Sequence, residues 1–324
     1  MDERLIARIE RDCGMPGLVD ALTDRLPASD LQSLLLEVYR RRVERLSPAA
    51  VLERYQRDTF VCPAPLDPAA LAAFDLETFA VLGRLGYDAL ELSPLSPLGT
   101  VAAVATVHQN NVLTTSRSTE VVADSTNVLA LEAAVRRRAL LRLDARDSAR
   151  VRLCASHRLV RGQRFEGPGR RQHFRLLGLA TAGRDEGSFR FETSSLLELL
   201  TALLRVLERA GESGYRFADV QVTVTDLTGG RRQDLRDFVL EPLAVEFPGV
   251  DAGFDDDREG GRGYYTGACF HIDATTEDGD RVQVGDGGFT TWTTQLLGNA
   301  KERLLIGSLG TERLCGLFRT TGTG

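Results

Sequence analysis

The residues best suited to chemistry are six arginines gathered in one short segment. The segment HRLVRGQRFEGPGRRQHFR (residues 157–175) contains Arg158, Arg161, Arg164, Arg170, Arg171 and Arg175. Alternate residues of a β-strand share a face, and guanidinium groups on one face can present paired donors to phosphate oxygens. The segment therefore predicts a phosphate-binding hairpin, with a row of solvated arginines as the alternative.

A second charged group interrupts an apolar run close to the last residue, Gly324. The octet GSLGTERL (residues 307–314) contains two glycines and then Glu312 and Arg313. The pattern predicts a strand followed by a helix that begins near Thr311.

Other common catalytic motifs are absent from the sequence. It contains no GxxxxGK[ST] loop, no GxGxxG after a strand, no HExxH and no GxSxG. The four histidines are scattered, so no metal site is predicted. The run Asp255-Asp256-Asp257 could bind a divalent ion, but a solvated loop is the simpler interpretation.

Composition limits the class of protein. Hydrophobic residues make up 43% and charged residues 27%, as in ordinary globular proteins. The net charge of −6 argues against nucleic acid as a general partner, so any polyanion site has to be a local basic patch.

Cysteine usage and the N-terminus bear on location. The five cysteines form no CxxC pair, which is typical of a reduced chain. The N-terminus, MDERLIARIERD, is charged where a signal peptide is apolar. No uncharged apolar run approaches the ~20 residues of a membrane span. We expect a cytoplasmic protein.

Apolar periodicity predicts the elements that position the charged groups. Residues 3–58 are helical in pattern, and FVCPAPLDP (residues 60–68) is a linker. Helices are predicted up to residue 85 and at 124–138 and 193–210, and strands at 86–94, 100–123, 151–183, 218–226, 267–275, 280–288 and 302–310.

The connections between strands indicate the fold class. The two strands of 151–183 are joined by a Gly/Pro turn at 167–169, without an intervening helix. This predicts an α+β fold, an antiparallel sheet flanked by helices, with an N-terminal helical region at residues 1–60. Residues 228–263 are polar and glycine-rich and are predicted to be loop.

Several segments, in order, resemble the catalytic core of class II aminoacyl-tRNA synthetases, and the histidyl-type branch fits best. A helix followed by GYDALELSP resembles that family's motif 1, near 70–94, with Pro94 as its characteristic proline. The resemblance implies a catalytic core at 61–324 and a homodimer formed through motif 1.

Two further segments resemble parts of the substrate site. VADSTNVLALEAA (residues 122–134) implies that Asp124 and Thr126 bind an α-amino group, although Val122 replaces a family arginine. On its own, Asp-Ser-Thr is a common helix cap. GGRGYYTGACFHI (residues 260–272) resembles the histidyl-type Arg-Gly signature, which implies an additional catalytic arginine, Arg262, beside Tyr264 and Tyr265.

The arginine-rich hairpin resembles motif 2, near 151–183. The match implies that Arg161 binds the α-phosphate of ATP and that Gln163 and Phe174 belong to the ATP site. Gln163 stands where the family has glutamate, and Ala180 replaces a glutamate of the histidyl branch. These departures argue against histidine as the substrate.

The octet resembles motif 3, near 303–318. The match implies that Glu312 and Arg313 bind ATP, with Arg313 on adenine and the γ-phosphate, and that Gly307 and Gly310 let the nucleotide approach the backbone. The segment VGDGGF (residues 284–289) resembles a double-glycine strand, but it continues into Phe-Thr-Thr-Trp where the family has arginine or tyrosine. We expect altered side-chain recognition.

Taken together, the resemblance implies adenylate formation from ATP, Mg²⁺ and a small amino acid or related acid, with Arg161, Arg262 and Arg313 as catalytic cations. In the family an anticodon-binding domain follows motif 3, and the residues after it here are too few for one. The leading hypothesis is therefore an amino-acid-activating ligase without an anticodon module, whose acceptor the sequence does not identify. The alternatives are a non-catalytic paralogue, such as the regulatory subunit of ATP phosphoribosyltransferase, and a tRNA-binding factor.

Overall fold

The computed structural model describes residues 3–163 and 171–320. Its α-helices are α1 (Glu3–Cys13), α2 (Leu18–Asp20), α3 (Ala28–Val43), α4 (Pro48–Arg57), α5 (Pro68–Arg84), α6 (Ser125–Leu143), α7 (Arg190–Glu212), α8 (Arg232–Leu235), α9 (Glu241–Glu246), α10 (Trp292–Leu297) and α11 (Thr311–Leu317). Its strands are β1 (Asp88–Ala89), β2 (Leu95–Pro97), β3 (Thr119–Val121), β4 (Val151–Val160), β5 (His173–Arg184), β6 (Asp219–Asp226), β7 (Val250–Phe254), β8 (Thr266–Thr275), β9 (Arg281–Thr290) and β10 (Glu302–Leu309).

The main sheet has the strand order β1-β4-β5-β10-β9-β8-β6-β7, and β2 pairs with β3 in a small second sheet. The neighbouring strands of the main sheet are antiparallel, except that β1 lies parallel to β4 and β7 lies parallel to β6. The predicted α+β class with a mainly antiparallel sheet is confirmed. The predicted turn of the β4–β5 hairpin, at 167–169, lies outside the described residues.

Long helices cover both faces of the main sheet. On one face, α6 places Leu129 against Leu153 and Ala180. On the other, α7 packs Leu199 among residues such as Leu305. Burial on both faces explains why most residues of β4, β5 and β10 are buried.

A buried ion pair joins α6 to the sheet. Arg137 of α6 donates from Nε to Oε2 of Glu302 at 2.8 Å, and neither side chain has exposed surface. Arg137 also pairs with Asp147 at 2.8 Å. A buried charge is tolerated when it is paired and hydrogen-bonded in this way.

The N-terminal helices form as predicted, yet in this described part of the chain no residue of α1, α2, α3 or α4 is buried. Ser47 caps α4 by accepting a hydrogen bond from the amide of Ala50, with Pro48 at the first helical position. The division of the chain at residue 60 stays a prediction.

Two sequence predictions are wrong. In the predicted strand region 100–123, only β3 forms a strand, and Thr100–Val104 is a helical turn. The buried carboxylate of Glu120 accepts hydrogen bonds from the amides of Gly99 (3.0 Å) and Val101 (2.8 Å). These bonds satisfy the amides at the start of a helical turn and favour it over a strand.

The second error is at 228–263, where a loop was predicted. This segment contains α8, α9 and β7. Leu235, Val239 and Leu243 recur every four residues and are all buried in the core. Glycines and acidic residues on either side conceal this short helical stripe in the sequence.

Within the described residues, no helix is long and apolar enough to cross a membrane.

Candidate functional site

A cavity of about 810 Å³ opens on the sheet face that α6 covers in part. Among the described residues its walls include five arginines and three carboxylates, namely Arg161, Arg171, Arg175, Arg258, Arg313, Asp124, Asp286 and Glu312. The excess of arginine makes the cavity locally cationic in a protein whose net charge is −6. A cavity of this size and sign suits an anionic ligand as large as a nucleotide.

Arg161 lies directly after β4 and is held by several contacts. Its amide donates to the carbonyl of Gln172 at 2.7 Å, which continues the hairpin ladder. Its side chain donates from Nε to the carbonyl of Ala123 (2.9 Å) and from Nη2 to Oδ2 of Asp124 (3.0 Å). The guanidinium carbon also lies 5.1 Å from the ring centroid of Phe174. The structure thus brings together three of the predicted site residues.

Asp124 combines two roles. Its Oδ1 accepts hydrogen bonds from the amide (3.0 Å) and the hydroxyl (2.8 Å) of Thr126, so the helix-cap interpretation is confirmed for α6. Its Oδ2 faces Arg161, and both Asp124 and Thr126 line the cavity. The carboxylate is therefore fixed in position where a ligand could reach it.

The charged pair of the octet at 307–314 also lines the cavity. Glu312 accepts a hydrogen bond from the amide of Arg175 at 3.0 Å and pairs with Nη2 of Arg158 at 3.0 Å. Arg313 lines the cavity and donates to the carbonyl of Gln283. The helix α11 begins at Thr311, as predicted.

Two tyrosines close one end of the cavity. Their ring centroids lie 4.9 Å apart in an edge-to-face arrangement, and Tyr264 also meets Trp292 at 5.4 Å. Burial raises the pKa of Tyr264 and of Tyr265, and nearby carboxylates raise both further. Both hydroxyls therefore stay protonated at neutral pH and can donate hydrogen bonds.

Arg262 is not part of the cavity wall formed by the described residues. Its side chain is exposed, and its Nε donates to the carbonyl of Arg258 at 3.1 Å. Arg258 lines the cavity instead. It is only 6% exposed and donates from Nη2 to Asp286 at 2.8 Å. The structure therefore brings Arg161 and Arg313 to one cavity, together with a different third arginine.

Sequence reasoning missed Arg258, Asp286 and His271, all of which line the cavity. Arg258 stands in an acidic, glycine-rich segment without periodicity, so nothing in the sequence marks it as buried. Asp286 offered the clearer signal, because an ionisable residue between Gly285 and Gly287 within an apolar strand is unusual.

Gly307 and Gly310 both line the cavity, where their backbones can meet a ligand, and at Gly307 the structure adds a packing reason for glycine. A Cβ at this position would lie 2.7 Å from Leu199 and 3.1 Å from Phe270, on the sheet face opposite the cavity. Glycine is needed here because α7 packs tightly against the strand. At Gly310 the nearest contact of a Cβ would be Arg313, at an ordinary 3.5 Å.

The residues that depart from the synthetase pattern divide into two groups. Gln163 lines the cavity, as predicted for the ATP site. Val122 and Ala180 are buried in separate apolar clusters and are not among the described residues of the cavity wall. At these two positions, where the synthetase pattern has charged residues, this chain has apolar core residues.

The folded chain resembles several solved structures. An ATP phosphoribosyltransferase regulatory subunit/histidyl-tRNA synthetase from Bacillus halodurans is similar with a TM-score of 0.54 and 15% identity, over 78% of this chain and 80% of that chain. The apo histidyl-tRNA synthetase of S. aureus is similar with a TM-score of 0.55 and 13% identity, over 77% and 66% of the two chains. This chain has the fold of a class II aminoacyl-tRNA synthetase core.

A third structure with this fold is a histidine–tRNA ligase subunit from Alicyclobacillus acidocaldarius, with a TM-score of 0.54 and 14% identity, over 78% of this chain and 95% of that chain. The sequence matches no protein-family model, and no curated protein matches it. The class II synthetase fold is thus evident from the structure, while the details of the site have to be argued from this chain's own residues.

The donor set fits a nucleotide better than a resident metal ion. No group of three or more His, Cys, Asp or Glu that could hold a metal occurs in residues 3–163 and 171–320. Mg²⁺ commonly binds through one or two carboxylates together with substrate phosphates.

Proposed function

We propose that this protein uses ATP to activate the carboxylate of an amino acid or related acid as an adenylate. A single observation carries the proposal: nine of the ten residues predicted for the site line the same cavity. They are Asp124, Thr126, Arg161, Gln163, Phe174, Tyr264, Tyr265, Glu312 and Arg313, and Arg262 alone lies outside the described cavity wall.

The proposed reaction needs fixed cations more than a nucleophilic side chain. Attack of a carboxylate on the α-phosphate concentrates negative charge there, and preorganised donors stabilise that charge. Arg161 is assigned to the α-phosphate and Arg313 to the γ-phosphate. Mg²⁺ bound with ATP would neutralise further phosphate charge, with Glu312 as its protein ligand.

The remaining groups orient the acid. Asp124 is assigned to the α-ammonium group, because it is fixed by Thr126 and lies beside Arg161. Arg258 replaces Arg262 as the third cation of the proposal. Arg161 and Asp124 lie side by side, so a phosphate bound by the arginine would be next to an ammonium group bound by the carboxylate. This arrangement suits an amino acid that reacts with ATP.

Pyrophosphate exchange with a panel of amino acids tests this function. We expect amino-acid-dependent exchange of label from pyrophosphate into ATP. The substitution Arg161→Met should lower the rate by about 10²–10³-fold, as for other preorganised donors of this kind. The matched control is Arg152→Met, on β4, the strand that Arg161 directly follows; Arg152 pairs with Glu198 away from the cavity, and the substitution should leave exchange unchanged.

A second comparison tests the third cation. Arg258→Met should reduce exchange strongly, whereas Arg262→Met should leave it nearly unchanged. The reverse result would restore the role that the sequence assigned to Arg262. The absence of exchange with every amino acid, in folded protein, would contradict catalysis.

A regulatory role is the second candidate. Two observations favour it. Arg161, the residue expected to bind the α-phosphate, is already paired with Asp124, and Arg262 lies outside the described cavity wall. The similar structure from Bacillus halodurans carries the name of a phosphoribosyltransferase regulatory subunit. Calorimetry that detects a bound amino acid without ATP binding, together with stimulation of a short phosphoribosyltransferase, would support this role.

Dimerisation through the motif 1 segment is part of the proposal. Leu76 of α5 is 71% exposed, and Leu85 follows it at the end of the helix. An exposed leucine on this helix fits a surface covered by a second copy of the chain. Light scattering should give twice the monomer mass, and Leu76→Glu should shift the protein to monomer.

A further inference from the structure

A polar row crosses the floor of the cavity on three adjacent strands. Ser308 of β10 lies opposite Asp286 of β9, which in turn lies opposite His271 of β8. All three residues line the cavity. The adenylation chemistry proposed above gives none of them a role.

Asp286 is held firmly in the centre of this row. Its Oδ1 accepts a hydrogen bond from Nη2 of Arg258 at 2.8 Å and lies 3.4 Å from Nε2 of His271. Its Oδ2 accepts a hydrogen bond from the hydroxyl group of Tyr265 at 2.9 Å. A carboxylate offers about four lone-pair sites, so capacity remains for a ligand, and 35% of the side chain is exposed.

The groups that contact Asp286 leave it as a hydrogen-bond acceptor that faces the cavity. Arg258 is buried and supplies the compensating charge from one side. Burial lowers the pKa of His271, and Arg258 lowers it further, so the imidazole is neutral at neutral pH. Tyr265 stays protonated and can only donate to the carboxylate.

Asp286 is a further carboxylate of the cavity with its own set of contacts. Asp124 lies beside Arg161 and serves the α-ammonium group in the proposed function. Asp286 lies instead on β9, where Arg258 and Tyr265 hold it. An acceptor on a different element, held by different residues, is suited to a second donor on the same ligand.

We propose that Asp286 determines substrate specificity by accepting a hydrogen bond from the substrate's side chain. The inference rests on the proposed function and narrows its substrate to amino acids whose side chain carries an N–H or O–H donor. Acidic side chains are repelled by the carboxylate, and apolar ones displace water from its remaining lone pairs without replacing the lost hydrogen bond, which is how polar sites reject apolar analogues.

Matched amino acids test the inference on the unmodified protein. Glutamine, glutamate and methionine have similar lengths but differ in the donor, as do asparagine, aspartate and leucine. Calorimetric titration should show the amide of each set binding about 10- to 100-fold more tightly than its acidic and apolar counterparts. Histidine, lysine and serine extend the panel of donors.

Two substitutions locate the effect. Asp286→Ala should bring the affinities for glutamine and methionine close together, and Asp286→Asn, which keeps the shape, should remove the discrimination against glutamate. Asp273→Asn is the matched control, because Asp273 lies on neighbouring β8 and pairs with Arg281 outside the cavity. It should preserve all ratios, and thermal unfolding checks that each variant is folded.

Three results would overturn the inference. They are equal or tighter binding of methionine or glutamate by the unmodified protein, unchanged ratios in Asp286→Asn, and weaker binding of ATP, but not of the amino acid, in that variant. ATP binding and pyrophosphate exchange are measured in parallel. If the unmodified protein exchanges pyrophosphate with an apolar amino acid as well as with its amide counterpart, the specificity alone is refuted. If the unmodified protein neither binds ATP nor catalyses exchange, the proposed function is refuted.

Discussion

The N-terminal helices and the sheet core have equally regular apolar patterns, but only the core buries them. In α3, Leu34 and Val38 follow helical spacing and remain exposed. In α7, Leu199 and Leu203 follow the same spacing and are completely buried. The comparison teaches that periodicity predicts a helix and its apolar face, while burial requires a second surface. In the described structure the sheet supplies that surface to α7, whereas α3 is covered only in part and none of its residues is buried.

The largest expected difference concerns ion pairs. Glu302→Ala leaves the guanidinium of Arg137 buried without its main partner, and should lower the free energy of unfolding by about 3–5 kcal/mol. Urea unfolding measures the change. The control is Glu37→Ala, which breaks exposed pairs with Arg40 and Arg41 in α3 and should leave stability unchanged. Equal effects of the two substitutions would mean that the N-terminal helices are packed as firmly as the core.

Close packing in the core gives a second test. A Cβ at Gly287 would lie 2.4 Å from the carbonyl oxygen of Ile306 and 2.5 Å from the ring of Phe270. Gly287→Ala should therefore cost about 1–3 kcal/mol of unfolding free energy. Gly83→Ala is the control, because a Cβ there meets nothing within 4 Å inside α5, and helix propensity predicts a small gain. A stable Gly287→Ala protein would show that β9 and β10 can move apart.

Cysteine reactivity distinguishes the two regions without mutation. Cys13 is exposed at the end of α1, whereas Cys154 and Cys269 are buried in the sheet. Burial raises the pKa of Cys154 to about 12 and that of Cys269 to about 11. At pH 8 both therefore remain thiols, which react poorly. A chromogenic disulfide reagent should modify Cys13 quickly and these two only after unfolding, with mass spectrometry assigning the sites. Rapid modification of Cys154 in native protein would indicate local opening of β4.

The smallest effect is expected on α3. Leu34→Ser and Val38→Ser should change the free energy of unfolding by less than about 0.5 kcal/mol, because exposed positions contribute little. Leu199→Ala in α7 should cost about 2–5 kcal/mol. Denaturant titrations of the three variants measure the change in unfolding free energy for each helix. A large loss of stability in the α3 variants would show that this face is covered in solution, for example by a second copy of the chain.

The fold was largely predictable because most of its elements are long and have one dominant period. The hairpin β4–β5, the strands β8 to β10 and the helix α7 all appear close to their predicted positions. The errors at 100–123 and 228–263 concern short elements, in which one buried carboxylate or three spaced apolar residues outweigh the local composition. The Glu120 contacts join residues that lie far apart along the chain, and the apolar stripe is too short to stand out from the glycines and acidic residues around it.

The candidate site was predictable in part for a related reason. Arg161 and Arg313 belong to segments with recognisable order and spacing, and the structure brings them to the same cavity. Arg262 was chosen because it precedes the tyrosine pair, but backbone direction turns it outward and brings Arg258 inward. The direction of a side chain in an irregular segment depends on the local backbone dihedrals, which residue types do not determine.

By itself, the sequence determined the class of fold and the order of its main elements, and it indicated a cluster of arginines suited to phosphate. These properties follow from periodicity, hairpin connections and the local density of arginine, all of which are local along the chain, whereas a nucleotide was implied only by the resemblance of the motifs. Only the tertiary structure decided which arginines share a cavity and that Asp286 stands among Arg258, Tyr265 and His271. Strand register determines these contacts, because the pairing of distant segments sets which side chains meet on one face of a sheet.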